Sequence, residues 1–274
     1  MAVFQTSDGL NIYYEETDAG LPILCLPGLT RTTADFDDVT PHLAGNRVIK
    51  MEYRGRGRSD FDPNWQNYSP EVEGRDVLEL LGHLGLAKVA ILGTSRGGLI
   101  AMGLAALVKD RLLGVALNDI GPVIDPQGIA FILSYLGRNP DAKTHAEMAA
   151  ALAQVFTDFQ GVPEERWLRE ARNNTIETPE GLEIRYDPRL RDAVEASIGA
   201  PLPDLWPVFD ALAGLPLCTI RGGNSKLLTA ETLAEMARRR PDMIAATVPG
   251  RGHVPFLNEP EAVAALQAWV GQMQ

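Results

Sequence analysis

Val89-Ala90-Ile91-Leu92-Gly93-Thr94-Ser95-Arg96-Gly97-Gly98-Leu99-Ile100-Ala101 passes from a continuous apolar run through a glycine-rich turn into an Ala/Leu-rich stretch that lasts to position 108. The first part reads as a strand buried on both faces and the last as a helix. Between them Gly93-Thr94-Ser95-Arg96-Gly97 fits Gly-x-Ser-x-Gly, a turn whose strain lifts a serine hydroxyl above a sheet edge. Glycines are needed on both sides because side chains there would strike the neighbouring elements. Alone the pentapeptide is a weak signal; its place between strand and helix makes Ser95 a candidate nucleophile rather than a helix-capping serine.

Working outward, short β-rich runs at 3–6, 10–16, 22–26 and 47–53 precede it, separated by turn signals such as Asp8-Gly9 and Ala19-Gly20. From there strand and helix alternate: apolar positions 77, 78, 80, 81 and 84 predict an amphipathic helix over 72–84, and 113–117 predicts another buried strand. After Pro122 the β signal stops for some 90 residues, with helical periodicity at 145–156 and 164–173 and prolines at 140, 163, 179, 188, 201, 203 and 207. Strands resume at 217–220 and 245–248, with helices at 230–239 and 261–273. The expected architecture is α/β: a doubly wound, mostly parallel sheet formed by 1–122 and 211–274, with 123–210 inserted as a helical cap. Apolar residues expected to build that cap and its pocket include Phe131, Ile132, Leu133, Leu136, Phe156, Trp167, Trp206 and Phe209.

A serine hydroxyl is a poor nucleophile until a base takes its proton. His253, in Gly250-Arg251-Gly252-His253 after the last expected strand, is the candidate base, its loop freed by glycines to reach over the carboxyl ends of the strands. His83 falls inside a helix pattern, and His42 and His145 have no comparable context. An oxyanion needs two N–H donors: Arg96 supplies one by following the nucleophile, and Leu29, after Pro27-Gly28 at a strand end, is expected to supply the other. Arg54-Gly55-Arg56-Gly57-Arg58-Ser59 invites comparison with a dinucleotide loop, but Asp60 stands where the third glycine belongs, so the run reads as a solvated, salt-bridged loop.

Composition sets the remaining bounds. With 45% apolar and 22% charged residues the chain should fold, and a net charge of −11 argues against a nucleic-acid partner. No basic n-region opens the chain and no apolar run reaches membrane-spanning length, so no membrane association and a cytoplasmic location are expected. Cys25 and Cys218 each sit in an apolar strand run and read as inert core thiols; no metal spacing and no cofactor motif is visible, and oligomeric state is not legible.

Together these residues resemble the α/β-hydrolase superfamily over nearly the whole chain. Pro27-Gly28-Leu29 stands in place of the His-Gly oxyanion loop, Gly55-Arg56-Gly57-Arg58-Ser59 matches the Gly-x-Gly-x-Ser turn after the fourth strand, and the serine turn, the Gly-x-Gly-His loop and the insertion correspond in order. Many members carry an aspartate shortly after the penultimate strand, but Gly222-Gly223-Asn224-Ser225-Lys226 offers none. The resemblance implies the alternative position, after the strand that follows the nucleophile helix, where Asp119 lies in Asp119-Ile120-Gly121-Pro122. These runs look like those of small bacterial and mitochondrial serine esterases. The implied activity is hydrolysis of small carboxylic esters, with thioesters and lactones close behind, through an acyl-enzyme carried by Ser95, His253 and Asp119. A carbon–carbon bond hydrolase or a ligand receptor on the same fold are the rivals; epoxide and haloalkane chemistry would need aspartate in place of Ser95.

Overall fold

A computed structural model describes residues 2–17, 19–198 and 204–274. Four strands come first: β1 (Ala2–Gln5), β2 (Asn11–Glu16), β3 (Pro22–Leu26) and β4 (Arg47–Met51). Then α1 (Pro70–His83), β5 (Val89–Thr94), α2 (Arg96–Val108) and β6 (Leu112–Asn118) alternate. Helix α1 starts where its residues dictate, with Ser69 Oγ accepting from the Val72 N–H at 3.3 Å and Pro70 in the first turn, where its missing N–H costs nothing.

After β6 the chain leaves the sheet and forms α3 (Pro126–Tyr135), α4 (His145–Val155), α5 (Glu164–Asn174), β7 (Thr175–Thr178), β8 (Gly181–Ile184), α6 (Leu190–Ile198) and α7 (Trp206–Asp210). It returns through β9 (Leu217–Gly222), α8 (Ala230–Arg239), β10 (Ile244–Val248) and α9 (Pro260–Gly271). The excursion is therefore not all helix. Thr175-Ile176-Glu177-Thr178-Pro179-Glu180-Gly181-Leu182-Glu183-Ile184 pairs as an antiparallel hairpin, because its β-branched residues flank a tight Pro-Glu turn. Pro201 and Pro203, read from the sequence as punctuation, lie outside the described residues.

The sheet order is β1-β2-β4-β3-β5-β6-β9-β10, antiparallel as far as β4 and parallel from there on. Every residue of β5 and of β9 is buried, as expected of central strands covered on both faces. Period-two alternation divides the core: Leu24, Leu26 and Ile91 face α1 and α2, while Ile23, Cys25, Ala90 and Leu92 face α9, whose Leu266 and Trp269 cover them. Cys25 and Cys218 are free and buried, and burial pushes both thiols up to about 12, which leaves them unreactive. Among the described residues no helix is long and apolar enough to cross a membrane.

Candidate active site

Ser95 occupies the break between β5 and α2 with φ 49° and ψ −109°, a conformation that costs a non-glycine residue strain. The turn closes only because its neighbours lack side chains: a Cβ on Gly97 would strike the Leu26 backbone, and one on Gly93 the backbone of Gly97 and Gly98. Ser95 stands at the N-cap position of α2 but makes no capping bond. Its Oγ lies 3.0 Å from His253 Nε2 instead, and His253 Nδ1 lies 2.7 Å from Asp119 Oδ2. With the proton on Nδ1 donated to the carboxylate, Nε2 is free to accept from the serine hydroxyl.

Asp119 is wholly buried and, like Ser95, has positive φ, at 55°. It is held by donors on every side: the Gly222 N–H reaches Oδ1 at 2.7 Å, and Ser225 Oγ and His253 both reach Oδ2. The end of β9 and the turn after it, which have no carboxylate of their own, thus supply the amide and hydroxyl that fix one arriving from β6.

The Pro27-Gly28-Leu29 loop, the candidate oxyanion loop, is fixed through its carbonyls. Tyr53 Oη donates to Pro27 O at 3.2 Å, the Arg31 N–H to Gly28 O at 3.1 Å, and Arg56 Nε to Leu29 O at 2.8 Å. The Leu29 N–H has no hydrogen-bond partner among the described residues. Leu29 lines the cavity above Ser95, whereas Arg96 does not. The Arg96 guanidinium turns away to Glu73 Oε2 at 2.7 Å and Tyr68 O at 3.0 Å, leaving for the site only its backbone N–H, the first of α2 and without an intrahelical partner.

The arginine run is not the solvated loop expected from the sequence. Arg54 and Arg56 are completely buried, and only Arg58 reaches solvent. Arg54 binds Asp76 twice, at 2.6 and 2.7 Å, together with Asp62 at 2.6 Å and Asp8 at 3.0 Å. Arg56 Nη2 sits 2.8 Å from Glu73 Oε1, an ion pair whose atoms meet off the hydrogen-bonding axis. Glu73 therefore bridges the arginine under the oxyanion loop and the arginine of the serine turn. Burial pushes its carboxyl up, but the guanidinium groups of Arg56 and Arg96 outweigh that and hold it below the usual carboxylate value. Removing one partner of such a buried pair is costly, so Glu73→Ala is expected to lose about 3–5 kcal/mol of stability. A urea midpoint unchanged from the parent would show that Arg56 finds another counter-charge.

A cavity of about 690 Å³ opens over Ser95 and His253. The excursion between β6 and β9 supplies much of its wall, including Phe131, Ile132, Phe156 and Trp167 of the aromatic and aliphatic residues singled out from the sequence. Leu136 instead packs with Tyr68, Tyr186 and Leu190, Leu133 lies against that cluster, and Trp206 and Phe209 join the main core. The wall also carries residues that the sequence reading passed over: Arg31, Asp35, Arg166 and Glu170.

A model of the alpha/beta hydrolase family matches residues 23–266, which takes in the sheet from β3 to β10 and the excursion. The chain belongs to the alpha/beta hydrolase family. A crystal structure of an alpha/beta hydrolase from Novosphingobium aromaticivorans superposes with a TM-score of 0.93 at 37% identity, covering 99% of this chain and 97% of that one. The 3-hydroxybutyrate-oligomer hydrolase of Cupriavidus necator is 36% identical over 92% of this chain and 89% of its own. A more distant relative, the 2-(acetamidomethylene)succinate hydrolase of Mesorhizobium japonicum, is 24% identical over 94% of this chain and 90% of its own.

Proposed function

We propose that this alpha/beta hydrolase is a serine esterase that cleaves small carboxylic esters through an acyl-enzyme. The observation that carries the reading is the hydrogen-bonded line Ser95 Oγ to His253 Nε2 to Asp119, at 3.0 and 2.7 Å. In this reading His253 takes the hydroxyl proton as Ser95 Oγ bonds to the ester carbonyl carbon, and the N–H groups of Leu29 and Arg96 receive the oxyanion. The imidazolium, steadied by Asp119, then protonates the leaving alkoxide as the C–O bond breaks. Water repeats the sequence on the acyl-enzyme: it gives a proton to His253 as its oxygen bonds to the acyl carbon, and the imidazolium returns that proton to Ser95 Oγ as the acid is released. The name of the 36% identical relative, a hydrolase of oligomeric hydroxyacid esters, supports the ester class.

Residues 123–210 act as a cap over 1–122 and 211–274, and their aromatic wall measures the acyl chain. Turnover of p-nitrophenyl esters of increasing acyl length, beside thioester, lactone and diketone panels, tests the reading; faster turnover of a diketone than of any ester would reverse it. Phe131→Ala and Trp167→Ala are expected to move the optimum toward longer acyl groups, because each empties volume from a wall of the cavity. An optimum that stays put in both variants would place the acyl pocket elsewhere.

A further inference from the structure

Beside the oxyanion loop the cavity wall carries a guanidinium with one arm unused. Arg31 Nε donates to Asp35 Oδ1 and Oδ2 at 3.0 and 2.8 Å, and Nη2 pairs with Glu170 of α5. Glu170 in turn takes Arg166, which lies 2.7 Å away and continues to Asp38. Arg31 Nη1 has no partner among the described residues, yet it is not sealed off: about a quarter of the side chain, 28%, is accessible, and Arg31 lines the cavity. A Cβ placed on Gly28 would lie 3.2 Å from Arg31 Cγ and 4.0 Å from Ser95 Cβ, so the arginine stem and the serine flank the same point of the loop. A tie between the loop and α5 uses Nε and Nη2 only. The fork is pinned by those bonds, which leaves both N–H groups of Nη1 free to donate from a residue of the cavity wall.

We infer that Arg31 Nη1 is a substrate-binding group that donates to an uncharged oxygen near the scissile ester, so that the substrates are esters of oxygenated acids, such as oligoesters of hydroxy acids, in preference to plain alkanoates. This rests on the esterase reading and deepens it. Local charge decides against a carboxylate as the acceptor. Asp35 and Glu170 already flank the one guanidinium, and the formal charges of the arginines and carboxylates of the wall, Arg31, Asp35, Arg138, Asp141, Arg166 and Glu170, sum to zero. An incoming anion would meet two like charges, whereas a carbonyl or hydroxyl oxygen takes the same donors without that repulsion.

The test compares kcat/KM for p-nitrophenyl 3-acetoxybutyrate with that for its carbon isostere, p-nitrophenyl 3,5-dimethylhexanoate, and with that for the p-nitrophenyl half-ester of glutaric acid, which ends in a carboxylate. The parent enzyme is expected to favour the acetoxy ester over the isostere by about tenfold to a hundredfold, the scale of a hydrogen bond to a charged donor. In Arg31→Met that ratio should fall to near unity. If Arg31→Met does not fold, because Asp35 loses its counter-ion, Arg31→Met combined with Asp35→Asn carries the same expectation, since Glu170 keeps Arg166 as its partner. Equal rates on acetoxy ester and isostere in the parent, or a preference that survives in the folded variant, would overturn the inference while leaving the esterase reading intact. A glutarate half-ester faster than the acetoxy ester would overturn the uncharged acceptor. No turnover of any ester would overturn the esterase reading and this inference with it.

Discussion

Ser95→Ala is expected to abolish ester hydrolysis and covalent labelling by a fluorophosphonate, with a loss on the order of a millionfold in kcat, the scale seen when the nucleophile of a serine hydrolytic triad is removed. The change deletes one oxygen at a half-buried position whose side chain, among the described residues, bonds only to His253. The turn itself is held by the Ser95 N–H to Asn118 O at 3.0 Å and by the glycine packing around it, neither of which involves the hydroxyl. The thermal melt should therefore match the parent while intact-mass spectrometry finds no adduct. A labelled Ser95→Ala protein would point to another nucleophile.

Asp119→Asn is expected to keep the fold and lower kcat by about 10⁴, the loss measured for this change in a serine protease triad. An amide can offer His253 its nitrogen, a donor facing a donor, or can present its oxygen to the imidazole and its nitrogen to the Gly222 N–H. Either way at least one of the three hydrogen bonds accepted by the Asp119 side chain is lost, and the imidazolium loses its counter-charge. Ser225→Asp in that background asks whether a carboxylate can serve from the β9 side, since Ser225 Oγ already lies 2.5 Å from Asp119 Oδ2. Near-parental activity of Asp119→Asn would remove Asp119 from the mechanism.

The alternation of strand and helix was legible because period and turn chemistry are local properties, and so was the order in which Ser95, Asp119 and His253 arrive at one end of the sheet. The hairpin of β7 and β8 carried a local signal as well, obscured because Pro179 was read as punctuation between helices. What stayed hidden depends on partners distant in the chain. A sequence displays the charges of Arg54 and Arg56 but not that Asp8, Asp62, Asp76 and Glu73 close around them, and so solvation was the wrong expectation. Ser225 and Arg31 look like ordinary loop residues until the fold brings one to Asp119 and the other to α5.

Glu73 lies outside the cavity wall, yet it ties the serine turn to the arginine beneath the oxyanion loop. The separation of the two proposed N–H donors is thus set jointly by three side chains from three segments of the chain. Replacing Glu73 strands two guanidinium groups, whereas replacing either arginine leaves Glu73 with a single partner, so single changes at 56, 73 and 96 should be strongly epistatic. Over the history of such a chain these three positions are expected to drift as a unit, while the aromatic wall, free of that constraint, is where new substrate preferences can arise one substitution at a time.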